Sequence, residues 1–138
     1  MQYILLIYGD QSSWDDRTEE ERSQIFQAYG AFTQELRDSG AMLAGDALEP
    51  TETATTVRVQ NDEVLTTDGP FAETKELVAG FWIWQVKSLD EAVEWIRRSP
   101  FQEGEIEIRP IMGAEDFGDA LPQDVKDQEN RLRAQIRS

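Results

Sequence analysis

The sequence predicts a single α+β domain in which two helices cover one face of a mainly antiparallel sheet. Three observations predict it. Apolar runs of strand length and stretches of helical period follow one another as strand, helix, strand, strand pair, strand, helix, strand. Two Ser/Thr-x-x-Glu boxes mark helix starts. A length of 138 residues suits one domain with a real core and not two.

Residues 3–8 (Tyr-Ile-Leu-Leu-Ile-Tyr) form the first strand, continuously apolar and partly β-branched or aromatic. A polar loop over residues 9–17 carries Trp14. Thr18 then caps a helix, its hydroxyl placed to accept from the Glu21 amide and Glu21 to reach back. Acidic residues in that first turn suit the helix dipole. Ile25, Tyr29, Phe32 and Leu36 recur at helical spacing, and Gly40 supplies a stop, so the helix spans about residues 19–39.

Residues 42–48 form a second strand with a small-residue centre, broken by Pro50. Residues 53–60 and 63–67 form a hairpin about Asn61-Asp62. Residues 77–86 are the most apolar strand and the natural centre of the sheet. Ser88-Leu89-Asp90-Glu91 opens a short helix with Ala92, Val93 and Ile96 on one face, stopped by Pro100. Residues 105–110 alternate, so Ile106 and Ile108 face inward while Glu107 and Arg109 face the other way.

This order is the ferredoxin-like, split βαβ pattern. One face of the sheet lies under the helices. The other is expected to carry Trp82, Trp84 and neighbouring aliphatics, and so large an apolar patch calls for a partner. A second copy packed face to face is the simplest one, and a homodimer is expected. The domain spans residues 1–112, and residues 113–138 form a more polar, helical extension. Pro122 opens its helix, which reaches residue 135 or 136 with a thin stripe of Val125, Leu132 and Ile136. Such a stripe suits a helix laid across the dimer; the alternative is a tail that orders on meeting a partner.

Composition excludes several functions. No cysteine is present, so there is no disulfide, thiolate metal site or thiol nucleophile. No histidine is present either, which removes the commonest neutral-pH base and any Ser-His-Asp triad. The net charge of −15 opposes direct binding to nucleic acid or an anionic membrane. The N-terminal apolar run is too short for a signal peptide, and no stretch could span a bilayer, so a cytoplasmic protein is expected. There is no Gly-rich phosphate loop and no EF-hand spacing; no metal or cofactor is implied.

The candidate site centres on Asp68-Gly69-Pro70-Phe71-Ala72-Glu73-Thr74-Lys75-Glu76. Gly69 permits backbone angles closed to other residues, Pro70 pushes it toward an extended form, and Phe71 anchors the loop. Asp68 reads either as a turn cap, bonding an N–H two residues on, or as an acid/base group. A turn needs none of Glu73, Lys75 and Glu76. Lys75 is placed to hold an anion or to pair with a neighbouring glutamate. Arg109, opposite the core, and Arg58, similarly placed on its strand, are further anion-binding candidates; pairing with Glu105, Glu107 or Asp68 is the alternative. Tyr8 and Asp46, at strand ends near Gly45, form a weaker ligand-binding group.

Together with residues 3–10, Leu43-Ala44-Gly45-Asp46-Ala47-Leu48 and Ile108-Arg109-Pro110-Ile111, the Asp68–Glu76 segment resembles the signature of the DGPF-domain, or YCII-related, family. The resemblance implies a dimeric α/β barrel with a cleft near the signature loop. It also implies an enzyme working through a His and an Asp in the cleft; one relative looks like a dehydrochlorinase acting on a chlorinated hydroxyquinol. This chain has no histidine, so that mechanism does not transfer, and Asp68 would have to act without such a partner. Location of DGPF members beside alternative sigma factors implies a second, regulatory reading with a protein partner. The residues leave open whether the chain is catalytic; a lyase- or isomerase-type proton transfer is the mildest chemistry they support.

Overall fold

In the computed structural model the described residues are 1–9, 14–69, 77–101 and 103–137. Among the described residues, six strands, three α-helices and two 3₁₀ segments have defined bounds, and the strands and helices follow in the expected order. They are β1 (Gln2–Gly9), α1 (Glu19–Asp38), β2 (Met42–Ala47), β3 (Thr55–Gln60), β4 (Glu63–Asp68), β5 (Leu77–Gln85), α2 (Leu89–Arg98), β6 (Glu105–Pro110) and α3 (Gln123–Arg137). The 3₁₀ segments are Thr51–Thr53 and Ala114–Ala120.

The sheet order β2-β5-β1-β6, antiparallel throughout, is that of a ferredoxin-like α+β fold. Among the described residues, β3 and β4 pair only with each other, as a separate two-stranded ribbon inserted in the chain between β2 and β5. Asn61 and Asp62 close it at φ 48° and 66°, backbone angles that Asn and Asp tolerate best among residues with a Cβ.

Both expected N-caps form, but neither glutamate reaches back to its cap amide. Thr18 accepts from the Glu21 amide at 3.1 Å and Ser88 from the Glu91 amide at 3.2 Å. The Glu91 carboxylate, however, takes the Lys87 amide at 2.7 Å, one residue before the cap. Pro122 starts α3 by offering its carbonyl to the amides of Val125 and Lys126. Along α3, Leu132 and Ile136 stay exposed.

Tyr3 and Leu5 of β1 and Trp82 and Trp84 of β5 are buried against Phe32 and Leu36 of α1 and Ala92 and Trp95 of α2. Trp82 stacks on Trp84 at 5.1 Å between ring centroids, and Phe32 presents its edge to Trp82, Trp84 and Trp95. Arg98 of α2 lies over Trp95 and bonds Glu35 of α1 at 3.2 Å, joining the helices at their rim.

This overturns one expectation. Trp82 and Trp84 belong to the helix-covered core, not to the bare face. Strand alternation then assigns the bare face to the other residues of the two central strands, Ile4 and Leu6 of β1 and Phe81 and Ile83 of β5. The bare face is still apolar, but aliphatic with one phenyl ring.

Gly45 belongs to that core packing. A Cβ there would sit 2.5 Å from Cδ1 of Trp82 and 2.9 Å from Cε of Met42, and the indole cannot swing aside without disturbing its stack. Gly45→Ala is expected to cost about 1–3 kcal/mol in urea unfolding, as overpacking does. Gly30→Ala, in α1 with nothing within 4 Å of the new methyl, is expected to stabilise by about 0.5–1 kcal/mol. Equal shifts in the two midpoints would refute this account of Gly45.

Candidate functional site

Tyr8, Asp46 and Arg109 lie on one face of the sheet, the face turned away from the helices. The register sets Asp46 beside Phe81, Phe81 beside Leu6 and Leu6 beside Glu107; one row over lie Ala44, Ile83, Ile4 and Arg109. The centre of the face is therefore apolar. Its β6 side carries Glu107 and Arg109, and its β2 side carries Asp46, three strand spacings away or roughly 14 Å.

Alternation along β1 puts Tyr8 on the same face as Ile4 and Leu6, and its unbroken register with β6 sets it opposite Glu105 and diagonal to Glu107. The β1–β5 register slips between Ile7 and Tyr8, leaving Ala79 as an extra residue on β5. The Tyr8 hydroxyl donates to the Glu107 carboxylate at 3.0 Å. Glu107 is the residue that the sequence reading missed as a site member; its signal was the alternation that already put it on the face of Arg109.

That hydrogen bond to a carboxylate is the main cause lifting the Tyr8 hydroxyl above its ordinary value, helped by burial and the Glu107 charge and opposed by Arg109. Tyr8 thus stays a neutral donor well into alkaline pH. Arg109 is exposed, and among the described residues it forms no ion pair. Neither expected alternative, Glu105 or Glu107, neutralises it.

Arg58 and Asp68 lie on the ribbon instead. Arg58 pairs with Leu65 and Asp68 with Thr55, which puts their side chains on opposite faces of it. No described hydrogen bond or ion pair joins Arg58 to Asp68, or Asp68 to Arg109. Nor is Asp68 a cap to an N–H two residues on, because that residue is Pro70. Gly69, at φ 96°, donates its amide to the Ala54 carbonyl and accepts from the Thr56 hydroxyl, both at 2.6 Å, pinning the base of the ribbon. Pro70, Phe71, Glu73, Lys75 and Glu76 lie outside the described residues.

An open groove of about 450 Å³ runs along the outer edge of β2, lined by Arg37, Met42, Leu43, Ala44, Gly45 and Asp46. Among the described residues, no three Asp or Glu side chains gather as a metal site would require. No described helix is long and apolar enough to cross a membrane.

A family model for the YCII-related domain matches residues 1–115. The chain belongs to the YCII-related family. An uncharacterised protein of Rhizobium meliloti (strain 1021) is 33% identical over 114 residues, 80% of this chain and 92% of the relative. The matched segment of the family model takes in all six strands, α1 and α2, and leaves α3 outside.

In Glu107→Gln the Tyr8 hydroxyl should titrate nearer the ordinary tyrosine value of 10.0, since a neutral amide is a weaker acceptor and repels no phenolate. Nuclear magnetic resonance of the labelled tyrosine Cζ carbons measures this. Because the folded-state value is raised, the bond contributes fully to stability below the unfolded tyrosine range and is lost as pH rises through the folded value. Alkaline unfolding should therefore respond to Tyr8→Phe, and unfolding below neutral pH should not change slope.

Proposed function

We propose that this YCII-related chain is a cytoplasmic, homodimeric small-molecule-binding protein whose ligand lies between two facing sheets, the arrangement of a dimeric α/β barrel. The observation that carries the reading is the half-buried apolar face of Ile4, Leu6, Phe81 and Ile83, turned away from the helices and flanked by an Arg109 that forms no ion pair among the described residues. Area supports it as well. The chain exposes 10327 Å², whereas a compact monomer of 15.8 kDa exposes about 7,300 Å². A stable dimer buries about 800 Å² per partner, well within that excess.

If the cleft is catalytic, its chemistry is a lyase- or isomerase-type proton transfer, with Asp68 as general acid or base and Lys75 and Arg109 stabilising developing negative charge. Without histidine, the carboxylates and the Tyr8 hydroxyl are the face's proton-handling groups. Arg58 and Asp46 complete the ligand-binding set proposed here. The sheet supplies Tyr8, Asp46 and Arg109; the ribbon carries Asp68 and Arg58.

Light scattering at micromolar concentration should return twice the chain mass, and Ile83→Glu should halve it without loss of helical circular dichroism. A monomeric wild-type protein ends the dimeric reading. Native mass spectrometry should find a small molecule co-purifying with the dimer. Asp68→Asn and Arg109→Ala should each abolish its retention or turnover while moving Tm by no more than a degree or two, as exposed substitutions do. Collapse of the fold in either variant would mean a structural role.

A second reading, a non-catalytic regulatory protein linked to a sigma factor, draws its support from α3, which shows Leu132 and Ile136 to solvent beyond the family segment. Removing residues 113–138 should then abolish a protein partner in pull-down. An unchanged set of partners counts against it.

A further inference from the structure

We propose that the bare sheet face binds an amphipathic monocarboxylate, its carboxylate on Arg109 and its apolar body across Ile4, Leu6, Phe81 and Ile83, and that Tyr8 keeps the arginine free by holding Glu107. The ligand class rests on the small-molecule reading above and narrows it.

The register fixes the layout. Arg109 is directly beside Ile4, Ile4 beside Ile83, and the next row sets Phe81 and Leu6 against the same floor. A ligand anchored at Arg109 and extending across the central strands meets only carbon for about two strand spacings, roughly 10 Å. That length fits a phenyl or short branched chain. None of the four side chains belongs to the core under the helices, and each is half-buried, with surface left to pack against a ligand.

The charge argument concerns Glu107. It lies two residues from Arg109 on the same strand and face, roughly 7 Å away along the strand, within reach of a bend of two long side chains. Yet it forms no ion pair with the guanidinium; its carboxylate accepts from the Tyr8 hydroxyl at 3.0 Å. Tyr8 reaches Glu107 because β1 and β6 pair without a break, setting Tyr8 opposite Glu105 and diagonal to Glu107 on the same face. The result is a guanidinium with no counter-ion among the described residues, in a chain with 28 acidic and 13 basic residues. A planar fork of donors beside an apolar floor matches a carboxylate with an apolar tail. The surrounding net charge of −15 disfavours dianions such as phosphate monoesters.

Titration of the full chain with 3-phenylpropionate, followed at the Arg109 Nε–Hε group and the Ile4 and Ile83 δ-methyls, tests the class. These signals should move together, and the neutral isostere 3-phenylpropan-1-ol should bind about tenfold or more weakly, the worth of one charge-assisted contact. An alcohol as effective as the acid, or no shift at millimolar acid, overturns the ligand class. Light scattering on the same samples separates this from the assembly: carboxylate shifts in a monomer support the site and sink the dimeric reading instead.

Tyr8→Phe should release Glu107 to pair with Arg109 and weaken the acid about three- to tenfold. Adding Glu107→Gln should restore the affinity, which simple loss of packing could not do. Unchanged affinity in Tyr8→Phe, or no restoration in the double variant, overturns the role given to Tyr8.

Discussion

Phe32 meets three indoles edge-on, at 5.9 Å from Trp82, 6.3 Å from Trp84 and 6.1 Å from Trp95. It is the point where α1, α2 and the central strand β5 are held together, since each ring comes from a different element or register position. Edge-to-face contact suits the quadrupoles of the rings and fixes their orientation as well as their distance. Once Trp82 and Trp84 are committed to Phe32, alternation commits Phe81 and Ile83 to the opposite side. The character of the bare face follows from the core: it receives what the helix side does not use.

Much of this was legible in the residues, and the failures have physical causes. Strand and helix identities, both N-caps, the Asn61-Asp62 turn and the inward Ile106 and Ile108 followed from period and local hydrogen bonding. The phase of β5 did not. Residues 77–84 are apolar or small at every position, so a period of two leaves no mark, and either set could have faced the helices. Only the volume of two indoles against Phe32 and the small Gly45 decides it. Gly45 is approached closely by a side chain of the core, the indole of Trp82. The Tyr8–Glu107 bond was hidden because it runs diagonally between neighbouring strands, and the register that sets Tyr8 opposite Glu105 belongs to the pair and cannot be read from either strand alone.

The acidity of the chain takes on a different meaning around this face. Spread over helices and loops, carboxylates mainly confer solubility. At the β6 edge, one carboxylate is tied to a phenol and one guanidinium is left without a partner. Three described ion pairs, from Arg97, Arg98 and Arg133, are all exposed helix pairs that contribute little to stability. The sheet spends none of its few cations in that way.

The extra residue Ala79 has a consequence for the strand's entry. Between the slip and Leu77, the backbone of β5 is half a pleat out of step with the part that carries Trp82 and Trp84. Removing one residue at the slip would bring Val78 back into step with the rest of the strand; removing two would put it out of step again. Changes of length at this point of β5 are thus governed by odd and even, and a single deletion there can exchange faces at one end of the strand while sparing the aromatic packing at the other.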